Sequence, residues 1–155
     1  MGKKQLPEDF KDFIQLLNKN NVRYLLVGGW AVAAHGHPRT TKDIDFLISV
    51  EKNNIVKLKK ALYEFGAPPI NFEDFNKEGS FIKMGIEPIR IDIIKEASGI
   101  DLDDCYIRKK IMKIEGIKIK VISLEDLIIN KKASGRSQDI ADAEKLEKLN
   151  FDKIR

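Results

Sequence analysis

"YLLVGGWAVAAHGHPRTTKDIDFLI", Tyr24 to Ile48, holds two apolar runs, and each carries something a simple core strand does not need. The first run, Val22 to Val27, predicts a short strand of the kind buried on both faces. It stops at Gly28–Gly29, and an Ala-rich stretch from Trp30 to His35 then predicts a short helix, broken by Gly36 and Pro38. The second run predicts a strand over Ile44 to Val50. Asp43 and Asp45 stand two residues apart at its start, so an extended chain puts both carboxylates on one face. Ile44, Phe46 and Ile48 then point the other way, into a core.

The flanking sequence extends this pattern. Residues 7–20 predict a helix: Pro7 suits the first turn, and Phe10, Phe13, Ile14 and Leu17 follow helical spacing. A helix is expected at 51–65, then a loop through "GAPPINFED". Phe81–Ile86 and Ile89–Ile94 read as strands joined at "EP", followed by a polar segment, "KEASGIDLDDCY". Lys109–Ile114 and Ile117–Ile122 flank "EG" as a hairpin. The remainder predicts helices, with Ser123 and Asp126 in a capping-box-like arrangement and Ser137 as a cap for the last helix. Adjacent strands without a regular βαβ series predict an α+β fold rather than a Rossmann fold. The expected organisation is one domain over 1–155, with a core at about 22–122 and a helical part at about 123–150.

The later run "IRIDII" repeats the logic of "KDIDFLI": Ile89, Ile91 and Ile93 share one face, Arg90 and Asp92 the other. If the two strands are neighbours, Asp43, Asp45 and Asp92 converge. Three close carboxylates repel unless a proton or a cation relieves them. At neutral pH a hard divalent cation does so with oxygen ligands, and Mg²⁺, which favours a few carboxylates plus phosphate oxygens and water, is the leading candidate. The plainer alternative makes Asp43 a strand-entry turn residue and Asp92 an ion-pair partner of Arg90 or a lysine. Gly28 and Gly29, between strand and helix, offer backbone N–H groups to an anion with no side chain in the way; a tight turn is the alternative. Neither a Walker A loop nor G-x-G-x-x-G is present.

Bulk properties narrow the classes. The 155 residues are 43% hydrophobic and 34% charged, which describes a soluble globular chain. No apolar run is long enough to span a bilayer. The N-terminus has charge but no following apolar region, so no secretory leader is expected, and Leu6 stands where a myristoylation signal needs Ser or Thr. The single Cys105 excludes an internal disulfide and a cysteine-rich zinc site, and makes a reducing cytoplasm the natural compartment. A net charge of +4 and a pI near 9.0 permit anions. The lysines are interspersed with acids rather than gathered in a basic stripe, which argues against nucleic acid.

Taken together, "VGGWA", an intervening "RTTK", "DID" and a lone Asp on a later strand resemble the nucleotidyltransferase superfamily. The likeness is greatest to its minimal and antibiotic-resistance branches, including lincosamide nucleotidyltransferases and proteins related to the AbiEii toxins. Val27, Gly28, Gly29, Asp43, Ile44 and Asp45 follow the family pattern in order, and Asp92 falls where the third carboxylate is expected. The tail "SLEDLIINKKASGRSQDIADAEKL" is similar to that branch as well. The resemblance implies a mixed β-sheet flanked by helices, and transfer of a nucleoside monophosphate from an NTP to an acceptor hydroxyl with release of pyrophosphate. It implies that Gly28 and Gly29 hold the triphosphate, that Asp43 and Asp45 bind Mg²⁺, and that Asp92 completes the metal site and serves as the base.

Secondary candidates are Arg39 and Thr40, just before the acidic pair, and Lys132 and Arg136 in the tail, all as triphosphate contacts. Asp139 and Asp142 are read as helix-surface ties to these cations. His35 and His37 read as polar loop residues and Trp30 as core. The acceptor is expected to be a small molecule, at a site either shallow or completed by a second subunit in a homo-oligomer. Two alternatives stay open: a toxin–antitoxin component of the same fold that modifies or binds a protein partner, and a nucleotide-binding module without transfer.

Overall fold

The computed structural model describes residues 6–154, so the N-terminal positions read above for a leader or lipid signal lie largely outside the described residues. In chain order the elements are α1 (Glu8–Lys19), β1 (Tyr24–Val27), α2 (Gly28–Ala34), β2 (Asp43–Ile48), α3 (Lys52–Phe65), α4 (Phe72–Phe75), β3 (Ile82–Met84), β4 (Arg90–Ile94), α5 (Leu102–Ile107), β5 (Lys110–Ile114), β6 (Ile117–Val121), α6 (Leu124–Ser134) and α7 (Ser137–Ile154). Six strands form one mixed sheet in the order β3-β4-β2-β1-β6-β5. The α+β class expected from the sequence is the class observed.

Two short helices depart from expectation. The loop after α3 contains α4, capped by the Asn71 side chain. The polar segment contains α5, where the Asp101 side chain accepts from the Asp104 amide. Both owe their existence to local side-chain capping, which satisfies N–H groups that a helix start leaves open.

All four residues of β1 are buried, as a central strand requires. Phe10, Phe13, Ile14 and Leu17 of α1 are fully buried against the sheet. Phe13 meets Phe46 of β2 edge-on at 5.6 Å, and Phe10 meets Trp30 at 6.0 Å, so Trp30 is a core residue. Ser123 caps α6 through the Asp126 amide, and α6 ends on Gly135 in the left-handed conformation. That turn folds α7 back onto α6. Among the described residues no helix is long and apolar enough to cross a membrane.

Candidate functional site

Sheet register builds the site. Strands β2 and β4 are parallel neighbours, with Asp43 opposite Arg90 and Asp45 opposite Asp92. Residues aligned across a parallel pair project to the same face, so all three carboxylates gather at the start of both strands. One oxygen from each of Asp43, Asp45 and Asp92 lies within 4.8 Å of the others. Strand β1 runs antiparallel to β2 and ends with Val27 opposite Asp45, so the glycines begin beside the carboxylates.

The electrostatics are unfavourable for three bare anions. Burial pushes the Asp45 carboxyl up to about 7, with Asp43 and Asp92 adding to the rise, while Lys131 opposes it. A set of three oxygen donors, one of them driven to hold a proton near neutrality, is matched by a hard divalent cation. The fit to Mg²⁺ therefore rests on donor chemistry and spacing. Arg90 also lies on this cluster: it donates from Nε and Nη2 to both oxygens of Asp92, each at 2.9 Å, and from Nη2 to Asp43 at 2.7 Å. The plainer sequence reading, an Arg90–Asp92 ion pair, is thus present together with the convergent triad.

Gly28 takes φ +69°, and a Cβ there would stand 2.2 Å from Asp45 Oδ2. A Cβ on Gly29 would stand 2.5 Å from Thr41 Cγ2 and 3.5 Å from the Arg39 guanidinium carbon. Both glycines thus have a packing reason to lack a side chain, beside any ligand: acid and loop close over them.

The C-terminal helices complete this face. Lys131, on α6, is 6% exposed, and its Nζ lies 3.2 Å from Asp139 and 3.3 Å from Asp142. Asp142, on α7, is fully buried and also accepts from Arg39 and from Gln138. Arg136 donates from Nε to Asp139 at 2.8 Å, and the fields of Asp45 and Asp43 reach it as well. Burial alone would raise the Asp139 carboxyl, but hydrogen bonds from Arg136 and Lys131 outweigh it and hold the group below its ordinary range. These two aspartates are buried anchors rather than surface ties, because the inner face of α7 carries them in line with Ala143 and Leu146.

The other sequence candidates are placed as follows. Arg39 lies over Gly29 and pairs with Asp142. Thr40 is exposed, and its neighbour Thr41 packs against Gly29. Lys132 pairs with Glu147 at the surface at 3.0 Å, whereas Lys131, which sequence reasoning passed over, turns to the site. The signal was available: Lys131 continues the buried spacing of Leu124, Leu127 and Ile128. His35 lies in the turn that closes α2, but it is buried rather than open to solvent, with Nε2 2.7 Å from the Ile122 carbonyl.

Comparison with known proteins adds three findings. A family model described as "Nucleotidyl transferase of unknown function (DUF2204)" matches residues 7–155. No curated protein sequence matches the chain. The fold is similar to the crystal structure of the lincosamide antibiotic adenylyltransferase LnuA with lincomycin bound, at 17% identity and a TM-score of 0.61, covering 94% of this chain and 99% of that one. It is also similar to the solution structure of the antibiotic-resistance factor ANT(2'')-Ia, at 15% identity and a TM-score of 0.57, over 91% and 86% of the two chains. An antigenic nucleotidyltransferase-like protein from Paracoccidioides brasiliensis shares 19% identity with a TM-score of 0.56, over 90% and 73%.

Proposed function

Because this chain belongs to the nucleotidyl transferase family whose model spans residues 7–155, we propose that it moves a nucleoside monophosphate from an NTP to a hydroxyl of a small molecule, in a Mg²⁺-dependent reaction. The observation that carries the site assignment is the register that aligns Asp45 with Asp92 and brings both to Asp43 beside the glycine turn. Magnesium held there would neutralise phosphate charge and polarise the phosphoryl oxygens.

Asp43, Asp45 and Asp92 are the residues that would hold the cation. The backbone amides of Gly28 and Gly29 would meet the triphosphate beside the cation, where the missing side chains leave room for Asp45 and Arg39 to close on the same place. Arg39 and Arg136 supply positive charge around the phosphates, and Lys131 holds the two buried aspartates that fix these cations. In the transfer itself the acceptor oxygen forms a bond to the α-phosphorus and the α–β bridging P–O bond breaks. Pyrophosphate leaves with that electron pair, and the hydroxyl proton passes to Asp92. The lincosamide adenylyltransferase and the antibiotic-resistance factor that share this fold support a small-molecule acceptor.

The experiment is calorimetric titration of the four NTPs into the protein with and without Mg²⁺, for the wild type and Asp45→Asn. Mg²⁺-dependent uptake of at least one NTP, lost in the variant, is expected. Well-folded wild type that takes up none of them overturns the assignment.

A further inference from the structure

Asp43 and Asp92 do not face solvent bare. Both Asp92 oxygens and one Asp43 oxygen already accept hydrogen bonds from Arg90. Each bond takes one lone pair and sets the positive charge of the guanidinium against these oxygens, so guanidinium and metal compete for the same carboxylates. These bonds also bear on catalysis, since a carboxylate with both oxygens engaged by a guanidinium is poorly placed to accept a proton. Arg90 is not locked in, however: its side chain is 24% exposed, and Glu87 offers a second carboxylate, with Oε1 3.7 Å from Arg90 Nη1. Glu87 is about half exposed and lies at the rim, where Lys42 is its other ionic neighbour at 3.9 Å.

We propose that Arg90 is the resident counter-ion of the triad. It is a positioning residue that keeps Asp43 and Asp92 converged before the metal arrives, and it passes to Glu87 when the metal enters. The inference rests on the reading of the triad as a metal site. Arginine suits the task where lysine does not, because its planar fork engages both oxygens of one acid and reaches a second. Loading is then an exchange of cations rather than a simple addition. Glu87 sets the balance without touching the metal.

The test titrates Mn²⁺ alone, without nucleotide, into the wild type and into Arg90→Gln, Arg90→Lys and Glu87→Gln, reading free Mn²⁺ by its paramagnetic resonance signal. Circular dichroism checks that each variant is folded. Arg90→Gln and Arg90→Lys are both expected to bind about tenfold more tightly, because the competent fraction is no longer reduced by the latch. Glu87→Gln is expected to bind about threefold to fivefold more weakly, the scale of one exposed ion pair, and unchanged binding there overturns the exchange. If Arg90→Gln binds more tightly and Arg90→Lys does not, net charge rather than exchange explains the effect and the inference fails. Weaker binding in Arg90→Gln overturns it too, since Arg90 would then support the loaded site. Wild-type binding with no tightening in either variant sinks the inference alone. If neither wild type nor Arg90→Gln takes up Mn²⁺, the metal-site reading fails with it.

Discussion

Replacing Asp45 by asparagine should stabilise the metal-free protein while removing its metal binding. The folded Asp45 carboxyl titrates at about 7 against an ordinary value of 3.8, chiefly because of burial and then because Asp43 and Asp92 stand beside it. Between these values the native state holds a proton that the unfolded chain has lost. Stability therefore falls as pH rises from about 4 to about 7, and levels off above. The gap is about three units at about 1.4 kcal/mol each, so ionised Asp45 costs up to about 4 kcal/mol at pH 8. Water entry and side-chain rotation trim that ceiling, and a gain of roughly 2–3 kcal/mol is expected for Asp45→Asn at pH 8. Near pH 4 the gain should nearly vanish. Urea unfolding in EDTA at pH 4, 6 and 8 measures it, and repeating pH 8 with excess Mg²⁺ should stabilise the wild type alone. A variant less stable than wild type at pH 8, or a gain independent of pH, refutes the reasoning.

Four further substitutions probe the supports. Asp142→Asn leaves Arg39 and Lys131 short of a buried counter-charge; because Asp139 still faces Lys131, a loss of about 2–3 kcal/mol is expected in urea unfolding. Gly28→Ala forces a side chain into a left-handed conformation and against Asp45 Oδ2, which should cost about 2–4 kcal/mol and weaken Mn²⁺ uptake by displacing that carboxylate. Lys131→Met and Lys132→Met separate neighbours: the first should cost about 3 kcal/mol and the second under about 0.5, read as shifts in thermal midpoint.

Much of this was legible because strand periodicity is simple. Alternation alone placed Asp43 and Asp45 on one face and Ile44 and Phe46 in the core, and it placed Arg90 with Asp92 opposite Ile91. What alternation does not supply is which strands are neighbours; the parallel pairing of β2 with β4 comes from the assembled sheet. The α5 helix escaped notice because it is only 6 residues long, too short to show a helical period, and its start depends on an Asp101 cap inside a run of acids. In the tail, charge was read as surface. The stripe through Leu124, Leu127 and Ile128 ends on Lys131, and that through Ala143 and Leu146 includes Asp139 and Asp142. A lysine and two aspartates can occupy an apolar face only when each compensates the others, a condition visible in three dimensions and not along the chain.

The ion pair between Arg39 and Asp142 joins residues 103 positions apart. During synthesis both carboxylate strands emerge long before α7 does. A nascent chain that has exposed α6 but not α7 holds Arg39 and Lys131 without the aspartates that orient them. The sheet can form at that point, yet the loop over Gly29 stays untied until the last helix docks. A chain that lacks α7 would therefore carry the triad without its clamp.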